Sequence, residues 1–350
     1  MTPPRRSTTH HVFVTRPIAD APLRRLAEFA RVDLWDDDLP PPHEELAARL
    51  KHCDGVLSMV SDRFDEATIA GAPRLAIISN LAVGIDNIDL DAATRMNVAV
   101  GHTPGVLSET TADLAFALML AAARRVTESD RFVRAGRWRV WTPRLMLGRD
   151  VWGATLGIVG YGAIGQAVAR RAIGFGMRVL YTRRAAGSLT PSSGASAAPG
   201  ISSAAQPEPV ELPQLLREAD FVSLHVPLTA ATRQLIGANE LAMMKRSAIL
   251  INTARGAIVD QAALASALKA GRLGGAGLDV SETEPISRED PLLRVANVVI
   301  TPHIGSASHA TRLRMAELAV NNLLDVFAGR HPRCCANPAV EPKPQSKEET

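Results

Sequence analysis

The stretch Leu156-Gly-Ile-Val-Gly160-Tyr-Gly162-Ala-Ile-Gly165-Gln-Ala-Val168 decides the fold. An apolar strand ends in G-x-G-x-x-G, and the residues after it repeat apolar side chains every four positions, at Ile164, Val168 and Ala172, as a helix with one buried face does. Strand, glycine turn and helix head together form the dinucleotide-binding fingerprint. Gly160 makes the tight turn, Gly162 admits a pyrophosphate to the backbone and Gly165 lets helix and strand approach. The N–H groups of Tyr161, Gly162, Ala163 and Ile164 then face the anion.

Outward from this turn, apolar runs recur at Thr155–Val159, Met177–Tyr181, Phe221–Val226, Ala248–Ile251, Gly277–Val280 and Val298–Ile300. Continuous Val/Ile/Leu runs mark parallel strands covered on both faces. The N-terminal third alternates in the same way, with strands expected at His11–Thr15, Gly55–Met59 and Leu75–Asn80 and a helix at Pro22–Ala30. The segment Thr110–Arg125 reads as a helix apolar nearly all round, opened by a capping pair of Thr110 and Asp113, and therefore as a core helix or one shared with a second copy.

The chain has 350 residues, long for one core, and two domains of ~100–200 residues are expected. A net charge of +3 with 21% charged residues leaves no basic block for a nucleic acid to track. The three cysteines, Cys53, Cys334 and Cys335, suit neither a disulfide framework nor a zinc site. His10-His11 has no further ligands near it in sequence, so no metal is expected. No apolar run reaches the ~18–20 residues of a membrane span, and no secretory signal follows Met1. A cytoplasmic protein without nucleic-acid or membrane partners is expected. Residues 185–207, rich in Ser, Ala, Gly and Pro, read as a disordered insertion, and 337–350 as a disordered tail.

The second strand of a dinucleotide-binding unit ordinarily ends in an acid that accepts bonds from the adenosine ribose. Here no acidic residue occurs between Tyr161 and Pro207, and the strand end reads Tyr181-Thr182-Arg183-Arg184. Two guanidiniums in that place favour a 2′-phosphate, hence NADP over NAD; solvated arginines are the plain alternative.

Ligands of such sheets bind beyond the carboxyl ends of the strands. Polar residues fall at those ends: Val226-Pro227, Thr253-Ala254-Arg255-Gly256, Asp279 ahead of Glu284-Pro285, and His303-Ile304-Gly305. His225, also at a strand end, reads as packed or bonded to backbone.

These segments, with Ala82-Val-Gly-Ile-Asp-Asn-Ile-Asp89 and Thr301-Pro-His-Ile-Gly-Ser306, resemble in family order the D-isomer-specific 2-hydroxyacid dehydrogenases, and within them the glyoxylate and hydroxypyruvate reductases. The resemblance spans about residues 12 to 333. It implies Arg255, Glu284 and His303 as the catalytic trio: reduction of a 2-oxo acid places negative charge on the carbonyl oxygen and needs a cation and a proton donor, as Arg255 and His303 would supply, while the Glu284 carboxylate would favour the charged ring and fix its tautomer. Val83, Gly84 and Ser306 would meet the substrate, and Thr110, Thr253, Ala254, Val226, Pro227, Asp279, His303 and Gly305 the cofactor. Trp138 and Trp141 resemble a tryptophan segment that reaches the partner's site across a dimer interface, with core packing the competing reading. The implied architecture is α/β with two Rossmann-like domains: a doubly wound, parallel-sheet NAD(P)-binding domain (107–306) inserted into a flavodoxin-like substrate domain (1–106 and 307–336), and a cleft that closes over cofactor and substrate. The substrate would be glyoxylate or hydroxypyruvate, and the assembly a homodimer. The rivals are a related dehydrogenase acting on 2-ketogluconate, phosphoglycerate or lactate, and a dinucleotide-sensing regulator of the same fold.

Overall fold

A computed structural model describes residues 10–182 and 206–341. Arg183, Arg184, nearly all of the expected insertion and the last part of the tail lie outside the described residues. The chain divides into two compact units, Met1–Leu107 with Ser306–Thr350, and Ser108–Gly305.

The first unit is a parallel sheet of β1 (His10–Val14), β2 (Ala30–Leu34), β3 (Gly55–Ser58), β4 (Ile77–Asn80) and β5 (Ala99–Gly101), in the flavodoxin-like order β2-β1-β3-β4-β5. Every residue of β3 and β4 is buried, the polar Ser58, Ser79 and Asn80 at their carboxyl ends included. The long helix α11 (His309–Phe327) starts at Ser308, whose hydroxyl accepts from Thr311 N, and lies so close to β3 that a Cβ on Gly55 would stand 2.9 Å from Leu323.

The expected disorder from Asn337 onward does not hold for the first residues of the tail. Asn337 is buried, accepts from Val100 N at 2.8 Å and donates to Val98 O at 2.9 Å, and Val340 is buried as well. An amide that satisfies the free side of the edge strand β5, together with one valine, is enough to order a stretch whose average composition is polar.

The second unit has seven parallel strands: β6 (Thr155–Val159), β7 (Arg178–Thr182), β8 (Glu208–Pro209), β9 (Phe221–Leu224), β10 (Ile249–Asn252), β11 (Gly275–Leu278) and β12 (Val298–Ile300). Their order is β12-β11-β10-β9-β6-β7-β8. Strand order reverses between β6 and β9, the switch point where doubly wound sheets bind ligands. Separate apolar clusters cover the two faces, one around Leu215, Leu250 and Leu278 and one around Phe116, Ile158 and Val168.

The apolar helix is α5 (Ser108–Ala123), which packs on β10 and β11 and on α7 (Ala163–Gly174). It begins two residues before Thr110, and the carboxylate of Asp113 bonds Arg171 of α7, so the expected capping pair is not formed. Glu109 joins the same ion-pair group with Arg170 and Arg171. The helix is therefore buried on most of its circumference and salt-bridged along one edge. Among the described residues no helix is long and apolar enough to cross a membrane.

Candidate active site

The glycine turn follows β6, and two of its three glycines are imposed by packing. Gly160 has φ +99, and a Cβ there would sit 2.7 Å from the carbonyl carbon of His225, at the end of β9. A Cβ on Gly165 would meet Gly160 O at 2.2 Å. Gly162 differs: nothing lies within 4 Å of where its Cβ would be, and its φ of −83 is open to any residue. Neither backbone nor neighbours demand glycine there, so the open space suits a ligand that comes close to the main chain. Gly162 caps α7 without a side-chain bond, which leaves the first N–H groups of that helix available to an anion.

Ala163 is exposed and Ile164 half-buried at this helix start, Thr110 is half-buried in the first turn of α5, and Val226 and Pro227 follow β9 beside Gly160. The Thr253 hydroxyl, beyond β10, is buried with no protein partner, as fits a group that bonds a bound molecule. Tyr161 stacks on Tyr181 with ring centroids 3.9 Å apart, which ties the turn to the end of β7. Glu208 and Glu218 both pair with Arg178, at the strand's opposite, amino end. These features fit a nicotinamide dinucleotide.

The polar strand ends of β10, β11 and β12 converge. After β10, the buried Asn252 donates to Arg255 O at 2.9 Å and accepts from Ala254 N at 3.0 Å, fixing the turn that carries Arg255. Gly256 follows because a Cβ there would lie 1.9 Å from Ser281 C, so the arginine turn lies flush against the segment that leads to Glu284. Glu284 accepts from Ser281 N at 3.2 Å through Oε1, and its Oε2 lies 2.7 Å from His303 Nδ1. Both side chains stay about one-third exposed, open to a small molecule. Burial works to raise the Glu284 carboxyl, but the hydrogen bond and charge of His303, the Ser281 N–H and the Arg255 charge outweigh it and hold the group below its ordinary value. Arg255 itself donates to Ala254 O at 2.8 Å.

Asp279, 1% exposed, accepts from Thr301 Oγ1 and from the N–H groups of Ile304 and Gly305. Neither Asn252 nor Thr301 was picked out from sequence. Only the type of residue, a polar side chain at the end of an apolar strand, hinted at the first. Of the two readings for His225, packing and a bond to backbone, burial fits the first: its ring lies 2.8 Å from Ser223 Oγ, burial pushes it down to about 4, and Nδ1 has no partner among the described residues.

The remaining expected residues belong to other segments of the chain. Val83 and Gly84 form a turn after β4 in the first unit, where His102 Nδ1 lies 3.0 Å from Val83 O and Asn80 donates to Gly84 O at 2.9 Å. Ser306 opens the returning segment of that unit. Trp141 is 73% exposed and Trp138 is exposed too, so core packing does not hold for either. Among the described residues no three His, Cys, Asp or Glu side chains come together as metal ligands would.

The glycine turn at the switch point and the imidazole, carboxylate and guanidinium beyond the neighbouring strands define a dinucleotide-dependent oxidoreductase. Comparison with known proteins narrows the class. Residues 116–305 match the family model for the D-isomer specific 2-hydroxyacid dehydrogenase, NAD binding domain. A glyoxylate reductase of Korarchaeum cryptofilum is 51% identical over 333 residues, covering 94% of this chain and 96% of the relative, and one of Thermococcus litoralis is 46% identical over the same length, with 94% and 97% covered. Among solved structures, a glyoxylate/hydroxypyruvate reductase of Sinorhizobium meliloti in complex with NADP and malonate superimposes with a TM-score of 0.80 at 30% identity, covering 95% of this chain and 98% of that one. The chain belongs to the D-isomer-specific 2-hydroxyacid dehydrogenase family.

Proposed function

We propose that this protein reduces glyoxylate or hydroxypyruvate to the D-2-hydroxy acid with NADPH as the preferred donor. The observation that carries the reading is the Glu284–His303 bond beside Arg255 at the strand ends. The bound dinucleotide supplies a hydride to C2 of the acid. Because Nδ1 of His303 is engaged by Glu284, Nε2 is the ring atom that gives its proton to the carbonyl oxygen, while Glu284 stabilises the ring's charge and orientation. Arg255 offsets the charge that grows on that oxygen and holds the substrate carboxylate, with Val83 and Gly84 N–H groups on the same carboxylate. Thr110, Thr253, Ala254, Val226, Pro227 and Gly305 complete the cofactor's surroundings, with Ser306 on the substrate side.

The preference for NADPH is supported by a sequence without acids from Tyr161 to Pro207, by the engagement of Glu208 and Glu218 with Arg178, and by Arg183 and Arg184 directly after β7. A homodimer is supported by the helix α6 (Val126–Arg134), which buries none of its residues, and by the exposed Trp138, Val140, Trp141 and Leu147 that follow it. A second copy of the chain is the occupant this apolar surface fits. The first unit would hold the substrate and the second the cofactor, in a cytoplasmic enzyme.

Purified protein should oxidise NADPH with glyoxylate and with hydroxypyruvate, and NADH more slowly. The Arg183/Arg184 double alanine should lose about 10- to 100-fold in kcat/KM for NADPH with little change for NADH, as expected for the loss of charge-assisted bonds. Absence of turnover with both acids would sink the substrate assignment.

A further inference from the structure

We infer that Asp279 is a positioning residue that sets the conformation of the loop carrying His303, a role separate from contact with the cofactor. Three successive main-chain N–H groups end on this one residue. That of His303 donates to Asp279 O at 2.9 Å, that of Ile304 to Oδ1 at 2.8 Å and that of Gly305 to Oδ2 at 2.7 Å. The Thr301 hydroxyl completes the set on Oδ1 at 2.6 Å. Convergence of consecutive N–H groups on one anion requires a local change of backbone handedness, and His303 shows it, with φ +55, a conformation non-glycine residues rarely adopt. Gly305 is pressed so close that a Cβ would lie 3.2 Å from Oδ2.

The chemistry requires a carboxylate here. Both oxygens of Asp279 act as acceptors, all their donors are neutral, and among the described residues no cation pairs with it, so the buried charge is sustained by these bonds alone. An amide would turn an NH2 toward one of the N–H donors. The His303 ring is thus held from two directions, its backbone by Asp279 and its Nδ1 by Glu284. Asp279 is anchored in turn, since its own N–H donates to Asn252 O at 2.9 Å, on the residue that fixes the Arg255 turn.

The inference rests on His303 as the proton donor, and the test separates the two. Full-length Asp279→Asn, Thr301→Val, Thr301→Ser and His303→Ala are compared by steady-state reduction of glyoxylate and by fluorescence titration with NADPH. Misplacement of a reacting group by about 1 Å costs about 100-fold, so kcat should fall about 100-fold in Asp279→Asn and about 10-fold in Thr301→Val. NADPH affinity should stay within about twofold, and Thr301→Ser should recover most of the rate. If Asp279→Asn weakens NADPH binding and keeps the wild-type kcat at saturation, Asp279 is a cofactor contact and the positioning role falls. If Thr301→Val keeps the wild-type kcat while His303→Ala is inactive, the clamp alone is wrong. If His303→Ala turns over normally, the proton-donor reading fails instead. Should Asp279→Asn fail to fold, the two Thr301 variants decide.

Discussion

Each of the two sheets buries an aspartate just past its strands, and the two are satisfied in different ways. In the first unit Asp62 accepts from Thr15 Oγ1 and from Met59 N, and it pairs with Arg16 Nη2 at 3.2 Å. In the second unit Asp279 meets, among the described residues, only neutral donors, and these side-chain partners belong to the loop of His303. A buried charge with a buried counter-charge is a closed structural unit. One sustained only by neutral donors, two main-chain N–H groups and a hydroxyl, fixes the shape of the segment that supplies them, and in this protein that segment holds the imidazole. Equal burial therefore does not mean equal purpose: Asp62 serves the fold, Asp279 the site.

The largest effect that would break this contrast is on the chemistry. His303→Ala should lower kcat for glyoxylate reduction by about 10²- to 10⁴-fold with its urea midpoint near wild type, since a partly exposed side chain is removed. A variant that unfolds and keeps its turnover per folded molecule would reverse the assignment of the second site. Asp62→Asn should do the opposite. It leaves Arg16, 12% exposed, without its counter-charge, and should cost about 3 kcal/mol in urea unfolding while kcat of the folded fraction holds.

The same distinction runs through the glycine turn at smaller scale. Gly160→Ala forces a methyl against His225 at positive φ and should destabilise by more than about 1 kcal/mol. Gly162→Ala adds a methyl to open space and should leave stability within about 0.5 kcal/mol while raising the KM for NADPH. Equal stability losses in both would mean that Gly162, too, is a packing residue.

Why some of this was legible from sequence and some was not has a physical reason. Strand cores and the glycine turn announce themselves because burial on both faces leaves continuous apolar runs, and the strand ends came within one or two residues of Thr155–Val159, Arg178–Thr182 and Ile249–Asn252. Arg255, Glu284 and His303 stood out as polar groups at the carboxyl ends of those runs. The bonds between Asp279 and residues 301 to 305 did not, because their donors are a hydroxyl and main-chain N–H groups more than 20 positions away, and an N–H group leaves no trace in residue type. Thr301 looks like any loop threonine. Asn337 and Val340 were hidden in a polar average, although two side chains against β5 suffice to order their segment. Trp138 and Trp141 fitted core or interface equally well by composition, and only their exposure separates the two.

The smallest effect concerns Glu284 and tests whether the site's own ion pair contributes to the fold as Asp62 does. Its carboxyl is buried enough to be pushed upward, yet His303, Ser281 N–H and Arg255 bring it below the ordinary carboxylate value near ~4.3. A folded-state value below the unfolded one means that the unfolded chain binds the proton more readily. The stabilisation is thus complete above the unfolded value and is lost as pH falls through the folded one. Wild type should lose stability relative to Glu284→Gln as pH is lowered from about 5 through the depressed value. With the side chain 38% exposed, water screens the pair and the divergence should stay small. Parallel stability curves for the two proteins down to pH 3 would show that Glu284 contributes nothing to the fold, and the contrast between the two units would then be sharper than the static geometry implies.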